Sequence, residues 1–79
     1  MTPRVVDALG TLCPVPVRML ARAARGADPG QVIELLADDP LVRVDVPAWC
    51  HTHGHGVEIG PDPLGGWRLV VTVADAPGG

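Results

Sequence analysis

Apolar and polar positions follow one another along the 79-residue chain with a spacing that changes several times, and each change marks the edge of an element. Arg4 to Leu9 reads as a short strand, with β-branched Val5 and Val6, and Gly10 breaks it. From Pro14 the period becomes helical: Val17, Leu20, Ala21 and Ala24 recur at i, i+3, i+4 and i+7, while Arg18, Arg22 and Arg25 take the other face. This amphipathic helix stops at Gly26, and Pro29 and Gly30 make the turn that follows. Gln31 to Ala37 is an apolar strand interrupted only by Glu34, and Asp38-Asp39-Pro40 ends it.

Leu41 to His55 carries two signals. Leu41-Val42-Arg43-Val44-Asp45-Val46 alternates like a strand, whereas Asp45 followed by Pro47 resembles a helix cap with an early proline. The reading adopted is a loop, then a short helix from about Asp45 to His53, closed by Gly54 or Gly56. Val57 to Gly60 and Trp67 to Ala74 are two further strands, joined as a hairpin by the turn-rich Pro61-Asp62-Pro63-Leu64-Gly65-Gly66. The order β-α-β-α-β-β, with a right-handed crossover in its first unit, predicts an α+β domain. It is a two-layer α/β sandwich, a four-stranded mixed sheet with both helices on one face. One domain is expected over residues 1–79, with its core at about 4–74 and Asp75 to Gly79 as a small flexible polar tail.

Composition narrows the function classes. The chain has no Phe or Tyr, leaving Trp49 and Trp67 as the only large aromatics, so the stacking platforms of single-strand nucleic-acid binders are nearly absent. A net charge of −3 also argues against a polyanion binder, and no direct nucleic-acid partner is expected. All six basic residues are Arg, and the stripe of Arg18, Arg22 and Arg25 offers a docking face on an acidic protein. No signal-peptide pattern and no apolar run long enough to cross a bilayer is present, so the expectation is a cytoplasmic monomer without a membrane partner. Two cysteines in a reducing compartment point to chemistry sooner than to a disulfide.

The chemistry concentrates in Asp7-Ala8-Leu9-Gly10-Thr11-Leu12-Cys13-Pro14-Val15-Pro16. Read physically, Cys13 is the N-cap and Pro14 the first helical residue, where a missing N–H costs nothing. Pro16 is tolerated in the first turn, and the two prolines stiffen the seat of the cysteine. The thiol would then face the positive end of the helix and the free N–H groups of Val15 and Val17, which lowers its pKa from about 8.5 to about 7.5 or below. No partner stands at Cys-X-X-Cys spacing, so this thiol must accept and give by itself; a small buried hydrophobe is the bland alternative.

These residues resemble the TusA/SirA-type sulfur-carrier family, whose pattern is an Asp, a Gly and then Cys-Pro-X-Pro opening the first helix: Asp7, Gly10, Cys13, Pro14 and Pro16. Asp38-Asp39-Pro40, Asp45-Val46-Pro47 with Trp49-Cys50, and Gly54-His55 extend the similarity over about Val5 to Val73. Family members often carry Lys late in the first helix, where this chain has Arg22 followed by Ala23. The resemblance implies two helices on a four-stranded sheet and a relay of sulfane sulfur as a persulfide on Cys13. Its protein donor would be a cysteine desulfurase or rhodanese and its acceptor a thiolation enzyme, with no metal or organic cofactor. Such a protein is a persulfide carrier rather than a multiple-turnover enzyme alone, and Arg18 and Arg22 are its candidate docking residues.

Competing readings attach to other residues. A redox or regulatory binding module could use the same fold without sulfur transfer. Cys50-His51-Thr52-His53-Gly54-His55 has the residue types of a zinc site, but only His51 and His55 would share a helix face, so structural roles are favoured and no metal is assigned. Cys50 is either a core residue behind Trp49 or a second thiol within disulfide reach of Cys13. Terminal Gly78-Gly79 is what ubiquitin-like carriers activate, yet those have a β-β-α-β-β order and this chain places a helix directly after its first strand.

Overall fold

The structure, a computed structural model, describes residues 3–74. The expected tail, Asp75 to Gly79 with its Gly-Gly end, lies outside the described residues. The elements are β1 (Arg4–Asp7), α1 (Val15–Arg25), β2 (Val32–Ala37), α2 (Val42–His53), β3 (Gly56–Pro61) and β4 (Trp67–Thr72). The sheet order is β1-β2-β4-β3, with β1 parallel to β2 and the other two pairs antiparallel. This is the expected β-α-β-α-β-β mixed sheet.

Alternation along the strands decides which face the helices cover. In β2, Ile33, Leu35 and Ala37 are buried, and register places Ile33 beside Val71 and Leu35 beside Leu69 on β4. Together with Val6 and Ala8 they form the sheet side of the core, closed by Leu20 and Ala23 of α1 and by Val42, Val46 and Cys50 of α2. On the other face, Glu34 and Arg68 form an ion pair. The buried stripe of α1 is Pro16, Leu20 and Ala23, one position round from the predicted centre, and Arg18, Arg22 and Arg25 are exposed as expected. Gly26 caps α1, its N–H donating to the Ala23 carbonyl and the Ala27 N–H to the Ala24 carbonyl.

The largest departure from expectation is α2, which begins at Val42 instead of Asp45. The acid that turns the chain into it is Asp39: its backbone carbonyl accepts from the Val42 N–H, and its Oδ1 accepts from the Leu41 N–H at 3.0 Å. Asp45 lies within the first turn, where its charge suits the helix N-terminus, and Pro47 sits inside the helix. Of the two closing glycines considered, Gly54 ends the helix in the left-handed region at φ 77°. In the hairpin, Gly66 is held by space as well as by its φ of 76°, since a Cβ there would lie 2.6 Å from the Ala37 carbonyl oxygen.

Candidate functional site

Helix α1 begins one residue later than the sequence suggests. Pro14 occupies the cap position, Val15 is the first helical residue, and Cys13 belongs to the preceding turn, joined to Pro14 by a cis peptide bond. The Val15 N–H, expected to face the sulfur, donates to the Leu12 carbonyl at 2.9 Å. Pro16 is fully buried and anchors this turn to the core, against which the partly buried Cys13 packs.

Carboxylates dominate what surrounds the thiol. The Cys13 N–H donates to Asp39 Oδ2 at 2.8 Å, and Asp39 is the buried charged residue of the described chain, 8% exposed. With Oδ1 on the Leu41 N–H, its side chain ties the cysteine turn to the start of α2, across 26 positions of sequence. These two N–H donors hold the Asp39 carboxyl below its ordinary pKa. Asp38 Oδ1 accepts from the Gly10 N–H at 3.0 Å and Asp7 Oδ1 from the Leu9 N–H at 3.0 Å, so two further acids shape the same loop. Gly10, at φ 79°, turns it.

The electrostatic outcome reverses the expectation of an acidified thiol. Desolvation, the hydrogen bond between the thiol and Asp45, and the negative charges of Asp39 and Asp45 push the Cys13 pKa up to about 11. About one thiol in ten thousand is then ionised at pH 7. The charge of the acids outweighs the helix end that local spacing points to. Local spacing gives Asp39 and Asp45 only capping and turning roles, because nothing in it brings them to residue 13.

Leu9, Leu12 and Val15, close to Cys13 in the chain, are exposed, Leu12 at 74%, as are Leu41 and Val44 at the start of α2. Arg18 and Arg22 lie on the exposed face of the same helix that follows Cys13. Cys50 is elsewhere: it is fully buried in the core on α2, and burial alone pushes its pKa up to about 11. Both cysteines are free thiols.

The histidines lie in the last turn of α2 and just beyond it. His53 and His55 pack on Trp49, each ring centroid 4.9 Å from its centroid, while His51 is exposed. His55 Nδ1 accepts the Ala74 N–H at 2.9 Å, a fastening between α2's end and the end of β4. Among the described residues no group of three His, Cys, Asp or Glu is placed to hold a metal ion, so the zinc alternative built on Cys50 and the histidines lacks a ligand set.

Comparison with known proteins agrees with this architecture. The model of the family described as sulfurtransferase TusA matches residues 4–73. Among solved structures, a SirA-like protein from Desulfitobacterium hafniense is similar at a TM-score of 0.79 and 25% identity, over 90% of this chain and 97% of that one. No helix among the described residues is long and apolar enough to cross a membrane.

Proposed function

The chain belongs to the TusA sulfurtransferase family, whose members carry sulfur between protein partners, and on that premise we propose that Cys13 is the atom-bearing residue of a persulfide relay. The observation that carries this reading is the seat of Cys13. It is a partly buried thiol on the turn before α1, fixed through its own N–H by Asp39 and flanked along the chain by the exposed side chains of Leu12 and Val15. Cys50, the other thiol, has no exposed surface.

In loading, the Cys13 thiol gives up its proton and its sulfur attacks the outer sulfur of a donor persulfide. The new S–S bond forms as the donor's S–S bond breaks, and the donor sulfur leaves as a thiolate that takes a proton. Unloading runs the same exchange with an acceptor thiolate attacking the outer sulfur, and Cys13 returns to the thiol. A high thiol pKa makes the scarce thiolate a strong nucleophile and a poor leaving group, so sulfur once loaded is held until an acceptor displaces it. Asp39 and Asp45 favour the protonated thiol, the form that unloading must reach. Pro14 and Pro16 fix the turn, and Asp7 and Gly10 shape the loop before it. Exposed Leu9, Leu12 and Val15 supply apolar docking contact, and Arg18 and Arg22 supply charge that draws an acidic donor of the cysteine desulfurase or rhodanese type.

The test is direct. Reduced protein is incubated with a cysteine desulfurase and cysteine, or with a rhodanese and thiosulfate, and its intact mass is read. A gain of one sulfur that Cys13→Ala abolishes is expected. No gain, or a gain that survives in Cys13→Ala, overturns the assignment.

A further inference from the structure

Both helices start at the end of the molecule where Asp39 holds Cys13, and both finish at the other end, where a separate cavity of about 630 Å³ opens. Its wall and floor include Ala24, Arg25, Trp49, His53, His55 and Val73. The volume is that of an ordinary small-molecule site, about 300 to 1,000 Å³. Nothing in the sulfur chemistry uses it.

The lining specifies what would fit. Trp49 is tilted 43° to His53 and 34° to His55, and the two imidazoles stack with centroids 6.1 Å apart, so three π faces are held together at one wall. The small side chains of Ala24 and Val73 leave room for a flat body against them. His55 stays neutral, since its Nδ1 accepts the Ala74 N–H, and desolvation and the nearby His53 hold its pKa below the usual value. Helix-end carbonyls are occupied: Ala23 by the Gly26 N–H, His51 by the Gly54 N–H and Cys50 by the His55 N–H. The remaining formal charge in the lining is Arg25, exposed in the last turn of α1 and in no ion pair among the described residues. A guanidinium beside an aromatic wall pairs a carboxylate in a bidentate fork and leaves the wall to the ring.

We propose that this cavity is a binding site for a small aromatic carboxylate, its ring on Trp49 and the two histidines and its carboxylate on Arg25. It is independent of the sulfur-relay reading. The probe is 1-naphthoate, with 1-naphthylmethanol as the uncharged counterpart, titrated against the full chain by calorimetry. Saturable one-to-one binding at about 1 mM is expected for a ligand of this size. Arg25→Gln should weaken it about tenfold, to the level of the alcohol. Trp49→Leu should abolish it, Trp49→Phe should retain it and guard against a folding defect, and Arg4→Gln on β1 should leave it unchanged. Absence of saturable binding, equal binding of acid and alcohol, or indifference to both Arg25→Gln and Trp49→Leu overturns the proposal. So does a loss of self-association in Trp49→Leu with no naphthoate binding, which would make this surface a contact between copies of the chain.

Discussion

The turn that carries Cys13 and the core position of Cys50 give two thiols with the same pKa, about 11, reached by different physics. At Cys50 the cause is burial alone: a fully enclosed sulfur among Val42, Val46 and the sheet cannot be solvated as a thiolate. At Cys13 burial is only the first cause, and a hydrogen bond to Asp45 and the charges of Asp45 and Asp39 add to it. A pKa therefore does not identify a reactive cysteine. What separates the two is access and the removable nature of the perturbation, since charges beside a partly exposed thiol are answered by whatever docks there, whereas a packed core is answered only by unfolding.

The largest effect that would break this contrast is on loading itself. Cys13→Ala should remove sulfur loading completely with the fold intact. Cys50→Ser should load normally while losing about 1 to 3 kcal/mol of stability, because a hydroxyl replaces a small apolar group in the core. Intact mass and urea unfolding of both variants check this. Lost loading at unchanged stability in Cys50→Ser would make the two thiols partners instead of opposites.

Next in size is the titration of Cys13. Asp45→Asn removes a charge and leaves a single acceptor oxygen, so the pKa of Cys13 should fall, and each unit of fall gives about tenfold more thiolate and, because a less basic thiolate is a weaker nucleophile, about threefold faster alkylation at neutral pH. Asp39→Asn should also lower it, but an amide has one acceptor oxygen where the carboxylate serves the N–H groups of both Cys13 and Leu41, so this variant should lose amide-exchange protection at Leu41 as well. Alkylation rates against pH, with exchange measured in parallel, separate the two acids. Unchanged rates in Asp45→Asn would show that burial alone sets Cys13, as it does Cys50.

A smaller effect, several-fold and reduced by salt, is selectivity for charge. A cationic methanethiosulfonate should modify Cys13 faster than an anionic one, because each approaching positive charge offsets Asp39 and Asp45 and favours the thiolate. Asp45→Asn should shrink the ratio. Equal rates for the two reagents on the folded protein would show that the acids act only within the turn.

How much of this was legible in the sequence differs between the helices for a definable reason. In α1 the arginines and the apolar stripe separate cleanly, so the element and its exposed face follow from spacing. In α2 the buried residues Val42, Val46 and Cys50 do recur at helical intervals, but Val44, 66% exposed, fills the gap between the first two and makes them look like alternate residues of a strand. Pro47 then suggested a helix start near Asp45, whereas the turn through Asp39 begins the helix earlier. The position of Cys13 before a helix was readable from Gly10 and the prolines. Its electrostatics were not, because the acids that govern it are 26 and 32 positions away and meet it only through the fold, 39 and 45 against 13.

The last and smallest effect orders the two ends of the helical layer by acid sensitivity. His55 accepts the Ala74 N–H through Nδ1 and has a folded pKa below its ordinary 6.5, so the folded state binds fewer protons there than the unfolded chain. Its contribution is present above about pH 6.5 and is lost as pH falls through the lowered folded value. Asp39 is depressed below its ordinary 3.8, so its contribution is present above about pH 3.8 and is lost only at still lower pH. Acidification from pH 7 should therefore loosen the His55 end first, while the turn that holds Cys13 stays fastened. Amide exchange resolved by residue tests this: Ala74 should lose protection in the first step, and Cys13 and Leu41 only in the second. His55→Gln should remove the first step and leave the second. Simultaneous loss at all three amides would mean that the two ends respond as one unit, and the separation drawn between the sulfur turn and the rest of the helical layer would fail with it.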